Sequence, residues 1–214
     1  STVAYSFLTA AAANVIQAFG TTEQKQRFLL HMFSGRFSGT MALTEPNVGS
    51  SLGDLTTKAI LQADSQYLIK GQKMFISGGD QDITENIVHL VLARIQDAPQ
   101  GVKGISLFIV PKFRTHLDGT LAEANDVQLA GLLHKMGYRG TTSTVLNFGK
   151  QDACLGYLIG EAGSGLKYMF KMMNEARVGV GLGAAMIGYR GYLESLEYAK
   201  QRPQGRLATE RNPN

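Results

Sequence analysis

The chain is poor in cysteine, in clustered histidine, in long apolar runs and in charge of one sign. One cysteine, Cys154, stands among 214 residues. A single thiol excludes an intramolecular disulfide framework, and without a CxxC pair or a Cys/His array no metal site is expected. A reducing, cytoplasmic setting fits. No apolar run reaches the length of a transmembrane helix, and the alanine-rich start lacks a basic flank, so neither a membrane span nor a signal peptide is expected. Lysines and arginines number 21 against 17 acidic residues, a net charge of +4. They are scattered, with no aromatic residues interleaved, so nucleic-acid binding gains little support. His31, His89, His116 and His134 lie far apart, as structural or surface histidines do.

What is present is a globular composition, 44% hydrophobic and 18% charged, on a chain long enough for a substantial core. Residues 3 to 33 read as two helices, the second starting at a Thr21/Gln24 capping box, carrying Phe28, Leu29, Met32 and Phe33 on one face, and ending at Gly35. From Phe37 the pattern turns to short β-branched and apolar runs: TMALT, TTKAI, QYLIKG, KMFIS, IVHLVLARI, GISLFIVP and TSTVLNFG. Their spacing is too tight for crossover helices, which favours an antiparallel sheet or barrel. Helical periodicity returns near Ser164 with Leu166, Met169, Phe170 and Met173, and persists to Gln201, where Arg202-Pro203 and Gly205 halt it. The expected class is α+β, a middle β domain flanked by helices, divided at 1–36, 37–150 and 151–214. A long terminal helix with few partners, and Ser1 in place of a starting Met, point to a piece of a longer protein.

Two strand ends carry hydroxyls. In MALTEPNVGSSLGD, residues 41–54, Thr44 can hydrogen-bond a polar heterocycle edge. The N–H groups around Gly49, Ser50 and Ser51 suit an anion-binding concavity. Taken alone, the segment reads more readily as a strand followed by an ordinary Pro-Asn turn. In GQKMFISGG, residues 71–79, alternation puts Phe75 and Ser77 on one face, a ring beside a hydroxyl. Gly179 to Gly183 resembles a dinucleotide fingerprint but lacks a preceding strand and the required spacing, and reads as close packing on a helix. Gly160 to Lys167 is a turn feeding a helix N-terminus rather than a phosphate loop, because Lys167 falls one place late and Tyr168 replaces Ser or Thr.

ALTEPNVGS at 42–50, GQKMFISGG at 71–79, HKMGYRGTTST at 134–144 and LIGEAGSGLKYMFKMMNEARVGVG at 158–181 resemble, in order and spacing, the acyl-CoA dehydrogenases. TENIVHLVLARI, GISLFIVPKF and NEARVGVGLGAA look most like the bacterial branch that contains 3-methylmercaptopropionyl-CoA dehydrogenases. The resemblance implies the end of an N-terminal helical domain (1–36), a middle β domain (37–150), and a linker with the first long helix of a C-terminal bundle (151–214). It implies FAD, with Thr44 and the Leu43 backbone on the pyrimidine edge and Ser50 on the pyrophosphate. Phe75, where Trp is usual, would shield one flavin side, Ser77 would lie near N5 and O4, and Arg202 would reach the FAD of a neighbouring subunit. That contact requires a homo-oligomer, a dimer or tetramer.

The reaction implied is α,β-dehydrogenation of an acyl-CoA, in which a carboxylate takes the α-proton while the β-hydrogen leaves as hydride to the flavin. Electron-transfer flavoprotein would be the acceptor. The usual base is expected beyond Asn214. In some relatives it immediately precedes the arginine of the long helix, but that position is Ala176 here. Glu175 lies roughly 100° away around the helix, and is a weak candidate. Val48 replaces a small residue and Ser51 an Asp, with Asp54 three places on, and Pro203-Gln204-Gly205 replaces Gln-Phe-Gly. The competing expectations are a noncatalytic or DNA-binding member of the superfamily, and a flavin oxidase or monooxygenase on the same fold.

Overall fold

The computed structural model describes residues 3–202, 204, 205 and 209. The first helix, Val3–Phe19, lays Ala11, Ala12, Ala13, Val15 and Ile16 against the sheet, all buried. The second covers residues 22–33 and starts at the expected capping box. Gln24 N–H donates to Thr21 Oγ1 at 3.2 Å, and Thr21 N–H to Gln24 Oε1 at 3.1 Å. Two donors that a helix start orphans are thereby satisfied. Gln24 Nε2 also donates to Leu158 O at 2.8 Å, tying this helix to the sheet. Over Lys25–Leu29 the winding is wider, with i→i+5 bonding. The wider turn offsets the phase of the apolar stripe. Phe28 and Met32 are buried, but Phe33, expected on that face, is exposed.

Among the described residues ten strands follow: β1 (Phe37–Ala42), β2 (Lys58–Leu61), β3 (Gln66–Ser77), β4 (Asn86–Ile95), β5 (Ile105–Pro111), β6 (Phe113–Thr115), β7 (Leu121–Ala124), β8 (Val127–Leu132), β9 (Ser143–Phe148) and β10 (Leu155–Leu158). QYLIKG and KMFIS form one strand, β3, rather than two. Hydrogen-bonded neighbours run β4–β5–β10–β3, and β2 pairs with both β3 and β4, which closes a five-stranded ring. Closure removes free edges, the standing hazard of an open sheet. β1 extends the ring beside β4, and β9 and β8 extend it from the far half of β3. The sheet is mostly antiparallel, as expected, but β1 and β2 each run parallel to β4. The β2–β3 hairpin and the loop after it supply the long connection that parallel pairing needs.

β4 and β5 alternate between two cores. Val88, Leu90, Leu92, Ile105, Leu107 and Ile109 face a layer shared with the first two helices, whereas Val91, Ala93, Phe108 and Val110 join Ile69, Ile76, Leu146 and Phe148 in the other. Burial on both faces explains why these strands are nearly continuous apolar runs.

The segment after residue 150, expected as a linker, holds one more strand. β10 lies between β3 and β5, and Cys154 is buried just before it. Gly156 makes room for that insertion, since a Cβ there would sit 2.8 Å from Ile69 Cγ1. The long helix, Gly165–Gln201, opens by burying Tyr168, Met169 and Met172. The Tyr168 and Phe19 ring centroids are 4.4 Å apart. From Glu175 the helix belongs to a second compact unit, in which Val180, Leu182 and Ile187 are exposed. Among the described residues no helix is long and apolar enough to cross a membrane.

Candidate functional site

β1 runs on into the segment Leu43-Thr44-Glu45, and three contacts fix it. Glu45 and Val48 close a tight turn, with Glu45 N–H donating to Val48 O at 2.9 Å and Val48 N–H to Glu45 O at 3.1 Å. Val48, expected as a departure from the family pattern, is buried and caps the helical core. Met74 N–H donates to Thr44 O at 2.9 Å. Lys73 Nζ donates to Leu43 O, also at 2.9 Å. Both peptides flanking Thr44 are held, while its own N–H and hydroxyl have no partner among the described residues.

A bulge in β3 makes this possible. Lys73 pairs with Leu146 of β9 and Ile76 with Thr144, so Met74 and Phe75 together face only Val145. The extra residue takes the Met74 N–H out of the ladder and presents it to Thr44. The bulge also reverses the alternation, so that Lys73 and Ile76, three apart, are both buried. Phe75 sits between them at φ +59° and is 59% exposed. A bulky residue in the left-handed region costs of order 1–3 kcal/mol and marks a functional site more often than chance.

Phe75→Gly is therefore expected to change stability by no more than about 1 kcal/mol, because relief of the left-handed backbone offsets glycine's chain entropy and the loss of a largely solvated ring. Urea unfolding of the two proteins measures this. A loss above about 2 kcal/mol would assign the ring to the core instead.

Beneath the segment lies an ion pair that the sequence reading missed. Lys73 Nζ meets Glu45 Oε1 at 2.9 Å, with both side chains buried. Glu45 further accepts from the N–H and hydroxyl of Thr56, each at 2.7 Å, and from those of Thr57 at 3.0 and 2.6 Å. Burial opposes ionisation of Glu45, yet the Lys73 ammonium, the Thr57 hydroxyl and the N–H and hydroxyl of Thr56 outweigh it and hold the carboxyl down at about 2. Burial, partly offset by Glu45, pulls the Lys73 ammonium down to about 8. Gly71 lets this cluster assemble, since a Cβ there would fall 2.4 Å from Thr57 Oγ1.

The structure thus brings Leu43 and Thr44 to the β3 bulge that holds Phe75, with Ser77 at the end of the same strand. Ser77, half-buried, pairs with Ser143 of β9, and its hydroxyl is unbonded among the described residues. Ser50 is exposed just after the Glu45–Val48 turn. Asp54 closes the short turn Leu52–Asp54 and is exposed, and the carbonyl of neighbouring Gly53 accepts from Arg94 at 2.7 Å. Glu175 and Arg202 lie in the second unit, Glu175 half-buried on the long helix and Arg202 exposed at its end. Pro203 lies outside the described residues. No cluster of three or more His, Cys, Asp or Glu among the described residues could hold a metal ion.

Residues 40–150 match the family model described as acyl-CoA dehydrogenase, middle domain. Butyryl-CoA dehydrogenase of Syntrophomonas wolfei is 45% identical over 210 residues, 95% of this chain and 34% of that protein. 3-Methylmercaptopropionyl-CoA dehydrogenase of Ruegeria pomeroyi is 44% identical over 93% of this chain and 33% of its own length. The chain thus spans about a third of these relatives. Among solved structures, butyryl-CoA dehydrogenase from Megasphaera elsdenii superposes with a TM-score of 0.72 at 28% identity, over 92% of this chain and 48% of that one. An acyl-CoA dehydrogenase complexed with FAD from Bacillus anthracis gives 0.68 at 29% identity, over 89% and 30%. With the β barrel, the β1 turn and the bulged β3 in place, this chain belongs to the acyl-CoA dehydrogenase family.

Proposed function

We propose that this chain is the flavin-binding part of an FAD-dependent acyl-CoA dehydrogenase. The observation that carries the reading is Thr44, clamped through both flanking peptides yet left with two unbonded donors beside the exposed, left-handed Phe75. The set suits FAD: Thr44 for the polar ring edge, Phe75 for a flat face, Ser77 for the ring's other polar edge, and Ser50 with its neighbouring N–H groups for the pyrophosphate. The carboxylate nearest this set, Glu45, is neutralised by Lys73 and leaves no bare charge to repel an anion. FAD, when bound, accepts the hydrogen that leaves the substrate's β-carbon as hydride.

The residues of this chain bind and orient. Leu43 and Thr44 fix the ring edge, and Phe75 keeps water from one side. We assign the proton-abstracting carboxylate to sequence outside these 214 residues, because Glu175 is one position away from the place some relatives use and Ala176 occupies that place. Arg202, contributed to a second copy's cofactor in a homo-oligomer, and electron-transfer flavoprotein as acceptor complete the reading. The relatives' names favour dehydrogenation over the noncatalytic, DNA-binding and oxygen-using alternatives.

The test has two arms. In the complete gene product, Thr44→Ala, which removes the hydroxyl and keeps the N–H, is expected to weaken FAD binding about tenfold, the worth of one hydrogen bond, read by flavin fluorescence. The isolated chain mixed with FAD and butyryl-CoA without oxygen is expected to show no bleaching of the flavin band. Unchanged FAD affinity removes Thr44 from the site, and bleaching places the base within this chain.

A further inference from the structure

Lys73 is a lysine with no access to solvent, and such a charge is costly to bury unless it is paired and hydrogen-bonded. It makes two hydrogen bonds. One is to the Glu45 carboxylate; the other is to the Leu43 carbonyl, each at 2.9 Å. A trans peptide is a rigid plane whose C=O and N–H point opposite ways. With the Leu43 oxygen turned in toward Lys73, the Thr44 N–H of the same plane is turned away from the ion pair. It is the N–H that finds no partner among the described residues. A cation donating to a peptide oxygen also draws electron density from the nitrogen, so the N–H becomes a stronger donor.

We propose that Lys73 is a positioning residue that aims and polarises the Leu43–Thr44 peptide, making Thr44 N–H a donor tuned to the reduced, electron-rich form of the flavin ring. The inference rests on the FAD reading above. Glu45 has the opposing part: its four threonine bonds hold the carboxylate in place, and its negative charge moderates the field of Lys73 at that peptide. The bulge is what brings Lys73 inward at the right place, because strict alternation from Ile76 would send residue 73 to the other face.

The proposal is tested in the complete gene product by measuring FAD affinity and the two-electron midpoint potential, beside a urea unfolding curve for each protein. In Lys73→Met/Glu45→Gln the buried pair is replaced by neutral groups of similar size, an exchange that often leaves stability intact. The reduced flavin is expected to lose about tenfold more affinity than the oxidised, a shift of about 30 mV to lower potential. Glu45→Gln alone removes the counter-charge of Lys73, and at a pH low enough to keep that amine protonated its potential is expected to move the opposite way, upward. Opposite shifts from two changes in one cluster are not what loosened packing produces. If the double variant does not fold, the sign of the Glu45→Gln shift decides, and an unchanged or lower potential overturns the proposal. Folded variants with wild-type potentials overturn it while leaving the FAD reading in place. A wild-type protein that takes up no FAD removes that reading, and this inference with it.

Discussion

Glu45→Ala is expected to destabilise the protein by about 3–5 kcal/mol, measured as a fall in the urea midpoint at neutral pH. The change strands the Lys73 ammonium in the barrel wall with no counter-charge, the costly way to break a buried pair, and leaves four threonine donors without their acceptor. The same carboxylate sets an acid limit. Its folded value near 2 lies below the ordinary 4.5, so the unfolded chain binds the extra proton between those values. Stability from Glu45 is thus complete above pH 4.5 and lost as pH falls through about 2. The shift is worth about 3 kcal/mol. Wild type is expected to lose that much across this window and Glu45→Gln to lose distinctly less. Parallel acid profiles would show that the pair does not govern this limit.

Phe108→Ala is expected to cost about 3–5 kcal/mol, as truncation of a fully buried aromatic does when its surroundings cannot collapse. Phe108 is on β5, with no exposed surface, and meets the Tyr67 ring of β3 edge-on at 5.1 Å between centroids. β5 pairs with β4 on one side and β10 on the other, so the wall around the hole is held in a closed ring and is slow to close in. Thermal or urea unfolding measures the effect. A loss under about 1.5 kcal/mol would mean that the barrel relaxes far more than its closure suggests. The contrast with Phe75→Gly, a phenylalanine two strands away for which almost no loss is expected, separates a ring that holds the fold from one that faces outward.

The two phenylalanines show what a sequence can carry. Phe108 stands in GISLFIVP, an apolar run that needs burial on both faces wherever it is placed, and the strand was legible from that alone. β10, in contrast, is four residues interrupted by Gly156, and β8 carries Gly131 and few β-branched residues, so neither has a run long enough to announce itself. Phe33 follows the helical period on paper and is exposed because the wide turn at Lys25–Leu29 moves it off the buried face.

The site divides in the same manner. Thr44, Ser50, Phe75 and Ser77 could be picked from the motifs that hold them, since hydroxyls and a ring at strand ends are local features. Lys73 and Glu45 lay within those same motifs and went unnoticed, because a lysine and a glutamate 28 positions apart read as surface charges until the fold puts them together. The family, the helical start at Thr21 and the order of helices, strands and long helix were determined by local chemistry: capping, periodicity and runs of apolar residues that act within a few positions. The parallel placement of β1 beside β4, the closure of the ring by β2, and the bulge that turns Lys73 inward and Phe75 outward were decided only in three dimensions. Each depends on which distant backbone groups find partners, and a one-residue shift of register reverses every face of a strand.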